Sequence, residues 1–279
     1  MFVNPKLTRL NVATPARSNH NILAMDLVWL KVPQWERWGG LLHGFLGRRG
    51  GKSVGPYASL NLAFSVGDDP DVVKDNLCDM KKAVGVHDSR IVAMKQVHGD
   101  RILEVKDKSL KVAGEADGMV AEEKEIFLGV LSADCVPILF AVPGREIVAA
   151  VHAGWRGTLA GIAPKMIEYL KDRYGIKPAS VEVALGPAIG PCCYEIGADV
   201  SEPIITKWGR VAKDCLETKG GKKFFDLREF NRLQLNDAGV LPEKIYQIGP
   251  CTSCASSDFF SYRRQKGKTG HQMSFIGWL

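Results

Sequence analysis

The sequence predicts a single domain of mixed α/β (α+β) class, built from mixed sheets with flanking helices. Short β-branched and apolar runs, typical of strands, alternate along the chain with longer segments of helical spacing. No repeat, low-complexity linker or break in composition divides these segments into separate units. Strands that alternate with helices along one continuous chain indicate layers of sheet and helix around a common core.

The clearest local signal is a predicted β-hairpin in the middle of the chain. Two apolar runs, 136–142 and 146–151, are separated by Pro143-Gly144, which is the pattern of a strand, a turn and a strand. A glycine-rich bend and then a helical pattern over 158–174 follow the second run. We therefore expect a hairpin that leads directly into a helix.

Apolar periodicity and flanking turn residues predict the other elements in the same way. The beginning of the chain is polar, contains proline and lacks a clear period, so residues 1–40 are interpreted as an N-terminal arm or edge extension. The single domain is then expected to span residues 41–279. The predicted strands are 41–46, 90–94, 102–105, 127–131, 180–185 and 244–248, and the predicted helices are 71–84, 158–174, 199–211 and 227–238.

Composition restricts the class of protein and its location. Hydrophobic residues make up 46% of the chain and charged residues 24%, as is ordinary for a globular protein with a substantial core. No apolar run approaches the ~20 residues that span a bilayer. The first residues lack the apolar core of a secretory signal, so a cytoplasmic location without membrane association is expected.

The charge pattern favours small anions over nucleic acid as partners. The formal net charge is +6, and lysines and arginines are spread along the chain apart from one denser group at 262–268. A nucleic-acid-binding protein would concentrate them in a known module or interleave them with aromatic residues, and neither pattern is present.

The seven cysteines are expected to be reduced thiols in a chain without a secretory signal. Cys251 and Cys254 form a C-x-x-C pair, and Cys192-Cys193 could complete a four-sulfur metal site. Adjacent cysteines rarely bind one ion comfortably, so a structural role without metal is favoured for all four.

Three other residues suggest a metal site. A hairpin with so short a turn brings its outer ends together, so Cys135 and His152 are predicted neighbours. His98 also follows a short strand and precedes a glycine. Two imidazoles and a thiolate suit zinc, with a fourth position open for water or substrate. Each histidine alone would more often be structural, and the site is predicted from the three together.

Two arginines and one aspartate are the further candidates for catalysis and binding. Arg48 lies in a loop with four glycines over 47–57, where its planar donors suit a phosphate or ribose. Arg156 is placed at a predicted helix start, where free amides attract anions. Asp134 precedes the cysteine and is the candidate partner of a ligand or a proton shuttle. The predicted catalytic residues are Asp134, Cys135 and Arg48.

Several long motifs resemble the laccase-domain family. This family is also described as multicopper polyphenol oxidase-like proteins, as YfiH/YlmD-type peptidoglycan editing factors and as purine nucleoside phosphorylases. The resemblance covers residues from about 43 to the end of the chain. Its motifs are HGFLGRRGGKSVGPYASLNLAFSVGDDP, KQVHGD, ADGMV, SADCVPILF, AAVHAGWRGTLAGI, GPAIGPCCYEIG and CTSCASSDFFSYRRQKGKTG.

The resemblance implies a YfiH-like single α/β domain with a zinc site at His98, Cys135 and His152. It further implies phosphorolysis of adenosine, inosine, guanosine and methylthioadenosine, together with deamination of adenosine to inosine. The expected partners are therefore purine nucleosides and phosphate. The candidate substrate-binding residues are Arg48, Asn61, Arg156 and His43.

Other functions and states remain open at the level of the sequence. Cys135 and His152 could instead form a thiolate–imidazole pair that hydrolyses amides, including cell-wall peptides. A metal-carrying protein that binds a nucleotide or cell-wall fragment without turnover is a third hypothesis. Six histidines without a His-x-His pair cannot build a multicopper oxidase, although copper binding with phenol oxidation as a side activity fits the same ligands. Either a monomer or a homodimer is compatible with the sequence.

Overall fold

The computed structural model describes residues 26–86, 91–107 and 109–279. Within these residues the chain forms two six-stranded sheets, a three-stranded sheet and five α-helices, which confirms the predicted mixed α/β class. The strands are β1 Trp29–Leu30, β2 Leu41–Leu46, β3 Ile91–Lys95, β4 Ile102–Glu104, β5 Val112–Glu115, β6 Gly118–Ala121, β7 Phe127–Ser132, β8 Val136–Val142, β9 Ile147–Ala153, β10 Glu182–Leu185, β11 Glu195–Ile196, β12 Leu216–Lys219, β13 Lys222–Phe225, β14 Ile245–Gln247 and β15 Gln272–Trp278. The helices are α1 Pro70–Ala83, α2 Trp155–Ala160, α3 Ile162–Tyr174, α4 Ala198–Asp214 and α5 Leu227–Asp237.

The two large sheets pack face to face, and helices cover their outer faces. All residues of β8 are buried, and their successive side chains point to opposite faces of the sheet. Both faces of this sheet are therefore covered. Phe140 packs in the core between this sheet and α3, α4 and α5, whereas Leu139 packs in the core between the two sheets. On the far side of the other sheet, Met80 of α1 packs against Phe127 and Phe275.

The order of the strands brings distant parts of the chain together. The first sheet has the order β1-β2-β15-β7-β3-β5, and the second has the order β14-β10-β8-β9-β6-β4. Strands β8 and β9 form the predicted hairpin, in which Pro137 pairs with His152. Its neighbour β6 pairs with β9, so that Gly118 lies opposite Val151. The starts of β6 and β8 and the end of β9 therefore meet at one end of the second sheet.

The helix predicted over 158–174 is instead two helices that meet at Gly161. This residue has φ +90° and closes α2 by donating its N–H to the carbonyls of Gly157 and Thr158. A side chain at Gly161 would also approach the ring of Trp208 to 3.3 Å. The left-handed conformation favours glycine, and this one residue therefore separates α2 from α3. Pro164 lies in the first turn of α3, where no helical N–H is lost.

Two features of the sheets were not predicted. The hairpin of β12 and β13 is rich in lysine and mostly exposed, so it lacks the apolar alternation on which strand prediction depends. Strand β15 lies in the middle of the first sheet, between β2 and β7, whereas the sequence indicates only an apolar terminal segment.

The described part of the predicted N-terminal arm is an edge extension that also reaches the second sheet. Strand β1 pairs with β2 at the edge of the first sheet. Trp35 is fully buried, and its indole N–H donates to the carboxylate of Glu182 on β10 at 3.0 Å. Arg37 and Tyr246 also donate to this carboxylate, at 2.6 and 3.0 Å. Residues 1–25 of the predicted arm lie outside the described residues.

Across the parts of the chain that the structure describes, no helix combines the length and the apolar character needed to cross a bilayer.

Candidate metal centre and cavity

The three predicted metal-ligating residues come together at the ends of strands. Cys135 directly precedes β8, His152 lies near the end of β9, and His98 lies in the turn that follows β3. Their ligand atoms are all within 4.8 Å of one another. The sulfur of Cys135 lies 4.0 Å from Nε2 of His98, and the two imidazole rings are nearly perpendicular with centroids 4.8 Å apart.

The carboxylate of Asp117 holds both histidines in place. It lies immediately before β6, is fully buried, and accepts a hydrogen bond from His152 Nδ1 at 2.8 Å. It also accepts from the backbone N–H groups of Val97, His98 and Gly99 at 3.1, 3.0 and 2.7 Å. Because Nδ1 of His152 donates its proton to Asp117, Nε2 keeps a free lone pair for a metal.

The turn that carries His98 is conformationally unfavourable without these hydrogen bonds. His98 has φ +59°, a left-handed conformation that is uncommon for residues other than glycine. Three successive amides of this turn donate to one carboxylate, which offsets the cost of the turn. Asp117 therefore fixes the backbone of one ligand and the ring of the other.

The electrostatics of the cluster favour a thiolate and a cation side by side. Burial alone would raise the pKa of the Cys135 thiol, but the charge and hydrogen bonds of His152 and His98 lower it below its ordinary value. Burial alone would lower the pKa of His152, but the Cys135 thiolate and the Asp117 carboxylate raise it. A metal cation bound here would replace this proton and interact with the same thiolate. One thiolate and two imidazoles are a donor set that fits zinc.

The metal-ligand cluster lies in the wall of a cavity of about 1640 Å³. This wall combines aromatic faces, cationic groups and polar side chains, which is the lining expected for a ligand that is partly flat and partly anionic. The aromatic residues of the wall are Phe64, Trp155, Tyr194 and Tyr262, and its cationic residues are Lys74, Lys81, Lys95, Lys111, Arg156 and Arg263.

Arg156 is the predicted anion-binding residue that the structure places in the cavity wall. Its guanidinium lies over the ring of Trp155, 4.3 Å from the centroid. It forms no ion pair with any of the residues that the structure describes. Arg263, by contrast, donates to the carbonyl of Glu195 and covers the ring of Tyr194. Arg156 thus offers its donors to a ligand with fewer competing contacts.

Arg48 lies outside the cavity wall, and its donors are engaged by backbone carbonyls. Its Nε donates to Ala58 at 2.7 Å, its Nη1 donates to Ser256 at 3.2 Å, and its guanidinium lies over the ring of Phe260. Burial and the nearby charge of Arg264 lower the pKa of Arg48. These contacts join the glycine loop to the C-terminal loop.

Asn61 and His43 are also placed away from the cavity wall. Asn61 is fully buried, donates to Asp68, and accepts the backbone N–H of His271 at 3.0 Å. The ring of His43 is buried on β2 and accepts the N–H of Val32 at 2.9 Å. Burial, followed by the charge of Lys31, lowers the pKa of His43 to about 4. Both residues support the surrounding structure, and neither lines this cavity.

Asp134 lies in the wall, but its carboxylate is used to position the C-terminal loop. It accepts hydrogen bonds from Thr252 Oγ1 at 2.6 Å, from Ser261 Oγ at 3.0 Å and from the backbone N–H of Arg263 at 2.7 Å. Burial raises the pKa of this carboxyl against those hydrogen bonds. Asp117, and not Asp134, forms the hydrogen bond with the imidazole of His152. The sequence instead predicts this role for Asp134.

Sequence reasoning missed two residues of the site, Asp117 and His271. Asp117 directly precedes β6, and no local pattern in the sequence reveals that β6 pairs with β9. His271 lines the cavity, and burial followed by repulsion from His152 and His98 lowers its pKa to about 4. It is therefore a neutral imidazole at neutral pH. Its place before the central strand β15 was the one available signal.

Comparison with known proteins defines the class to which this fold and metal centre belong. Residues 42–279 match the family model described as multi-copper polyphenol oxidoreductase laccase. The chain belongs to this family.

Relatives within the family resemble the chain over nearly its whole length. The purine nucleoside phosphorylase YlmD of Geobacillus stearothermophilus is 40% identical over 267 residues, which cover 90% of this chain and 97% of the relative. The purine nucleoside phosphorylase YfiH of Escherichia coli (strain K12) is 36% identical over 250 residues, 90% of this chain and 98% of the relative. The crystal structure of the hypothetical protein YfiH of Bacillus licheniformis has a TM-score of 0.85 at 34% identity and covers 90% of this chain and 96% of its own.

Gly154 provides a direct test of the metal centre. A Cβ there would lie 3.0 Å from Cδ2 of His98 and 3.1 Å from the sulfur of Cys135, although its φ of −75° suits alanine. We expect Gly154→Ala to weaken zinc binding by about tenfold or more, because the ligands must separate while the fold is kept. Competition with a chromophoric chelator measures this affinity. The matched control is Gly39→Ala, where a Cβ would meet nothing within 4 Å. Equal zinc affinity in both variants would contradict the assignment of the ligands.

Proposed function

We propose that the protein is a zinc-dependent purine nucleoside phosphorylase that also deaminates adenosine to inosine. The observation that supports this most is the grouping of His98, Cys135 and His152 around Asp117 in the wall of a large cavity. The names of the relatives from Geobacillus stearothermophilus and Escherichia coli support the reaction class. The proposed substrates are adenosine, inosine, guanosine and methylthioadenosine, with phosphate.

The chain's own residues prepare the metal centre for this chemistry. Zinc, when bound by His98, Cys135 and His152, supplies a Lewis acid that acts at neutral pH. Asp117 holds the proton on Nδ1 of His152, so that Nε2 is presented to the metal. Contacts with His152 and His98 lower the pKa of Cys135 and so favour its thiolate form, which is the form that binds metals.

The cavity wall supplies the groups that would hold both substrates. A purine is a flat aromatic ring, and Trp155, Tyr194 and Tyr262 contribute aromatic rings to the wall. Arg156 would hold phosphate through paired, charge-assisted hydrogen bonds. In phosphorolysis a phosphate oxygen bonds to the anomeric carbon, the glycosidic C–N bond breaks, and the base leaves with the electron pair and takes up a proton. In deamination water replaces the amino group of adenosine, and ammonia is released.

A specific observation supports cysteine-dependent amide hydrolysis as a second candidate. Cys135, His152 and Asp117 form a thiol–imidazole–carboxylate series, which is the arrangement of a nucleophile, a base and an orienting acid. In this mechanism the Cys135 sulfur would bond to an amide carbon, and His152 would give a proton to the departing amine. Cell-wall peptides would be the substrates. The same thiolate and imidazole donors also suit copper, which would permit phenol oxidation as a side activity.

The two candidates differ in how they respond to loss of metal. We expect adenosine with phosphate to give adenine and ribose 1-phosphate, and adenosine without phosphate to give only inosine. A chelator should abolish both reactions and zinc should restore them, because the Lewis acid is required. Product analysis is combined with intact-mass spectrometry during turnover. Undiminished activity after chelation, together with a substrate-derived mass on Cys135, would show a cysteine nucleophile and overturn the zinc enzyme.

Arg156 can be tested separately as the phosphate-binding residue. We expect Arg156→Ala to raise the KM for phosphate by about tenfold or more, since a hydrogen bond to a charged group contributes about 1.5–3 kcal/mol. Deamination of adenosine needs no phosphate and should change little. Arg210→Ala on α4 is the control, because that side chain is 93% exposed. Equal losses in both reactions would show that Arg156 does not bind phosphate.

A further inference from the structure

A second cluster of possible metal ligands lies on two loops beside the cavity. Cys192 and Cys193 belong to the loop between β10 and β11, and Cys251 and Cys254 belong to the loop that follows β14. All four thiols are free, and their sulfur atoms lie within 4.8 Å of one another. The fold thus brings four sulfur ligands to one place from two separate pairs in the sequence.

The spacing of the sulfurs matches tetrahedral zinc. Zinc–sulfur bonds of about 2.3 Å place the sulfurs of a tetrahedral site about 3.8 Å apart. The sulfur of Cys254 lies 3.5 Å from that of Cys192 and 3.4 Å from that of Cys193, and no separation in the cluster exceeds 4.8 Å. The sulfurs of both adjacent cysteines therefore lie close to that of Cys254. This arrangement answers the expectation that adjacent cysteines rarely bind one ion.

A backbone amide in the cluster donates to sulfur. The N–H of Gly190 donates to the sulfur of Cys251 at 3.2 Å. Hydrogen bonds from amides stabilise a thiolate, which is the ligand form of cysteine, more than a neutral thiol. Purely apolar packing of these cysteines would not require such a donor.

Two buried or half-buried arginines place positive charge next to the cysteine loops. Nη1 of Arg228 donates to the carbonyl of Gly249 at 2.8 Å. Nη1 of Arg264 donates to the carbonyl of Thr252 at 2.7 Å. One zinc ion with four thiolates carries a net charge of about −2, so neighbouring guanidinium groups reduce the cost of holding it in the protein.

We propose that Cys192, Cys193, Cys251 and Cys254 bind a structural zinc ion, separate from the centre at His98. Zinc would replace the thiol protons, which pass to water, and no oxidation is involved. Four protein ligands leave no open position, so this ion would be structural. It would join the two loops already linked by the bridge between Ala188 and Cys251.

This zinc would stabilise one side of the cavity wall. The loop that carries Cys192 and Cys193 also contributes Ile189 and Tyr194 to the wall. The other loop carries Thr252, which donates to Asp134. Fixing the loops to each other would therefore hold one side of the cavity without contact between this zinc and the substrate.

Metal counting in ligand variants tests the proposal. After zinc reconstitution under reducing conditions and removal of free metal, we expect about two zinc ions per wild-type chain. The variant His98→Ala/His152→Ala should keep about one, and the same chain with Cys192→Ser and Cys254→Ser added should keep none. Cys78→Ser, which removes a thiol on α1 far from the cluster in sequence, should bind as much zinc as the wild type. Elemental analysis provides these counts.

X-ray absorption identifies the ligands without requiring the cysteine variants to fold. In the His98→Ala/His152→Ala chain we expect zinc surrounded by sulfur alone at about 2.3 Å. A chain without zinc in this variant, a nitrogen ligand at its zinc, or disulfides among the four cysteines under reducing conditions would overturn the proposal. The outcome is independent of the proposed reaction, because a nucleoside phosphorylase could lack this second ion and a protein without that activity could hold it.

Discussion

The candidate metal centre depends on one buried carboxylate, that of Asp117. It accepts four hydrogen bonds, three from the amides of the turn at 97–99 and one from the ring of His152. The amides hold His98 in a conformation that its side chain disfavours, and the ring bond sets which nitrogen of His152 faces the metal. Hydrogen bonds from one turn and from the end of β9 thus converge on a single buried carboxylate, which would be costly to leave unsatisfied.

The layers of the fold explain why this carboxylate can be buried. Strands β6, β9 and β8 are neighbours, and all their residues are inaccessible to water. Asp117, His152 and Cys135 lie together at one end of these three strands, so the polar site directly borders the apolar core. Gly154 keeps the space between His98 and Cys135 free of any side chain. The rigid sheet therefore fixes the ligands, while loops supply the rest of the cavity wall.

The sequence predicts contacts within a single local element, but it does not predict contacts that depend on pairing between distant strands. Cys135 and His152 were predicted as neighbours because both belong to one hairpin, whose pairing follows from a short turn. Asp117 was missed because its role depends on the pairing of β6 with β9, which no local pattern reveals. Arg48 and Asn61 have residue types suited to substrate binding, yet backbone carbonyls and buried amides use their polar atoms. The residue type indicates what a side chain can bind, whereas only the fold shows which hydrogen-bond partners that side chain already has.

The central claim, that the Asp117 carboxylate organises the metal ligands, is tested most directly by the zinc affinity of Asp117→Asn. This change keeps the shape of the side chain but replaces one accepting oxygen with a donor that faces backbone N–H groups. The account predicts zinc binding weaker by about 10–100-fold in a chain that remains folded. Asp75→Asn on the exposed face of α1 provides the comparison, with unchanged affinity expected. Wild-type zinc affinity in folded Asp117→Asn would contradict the account.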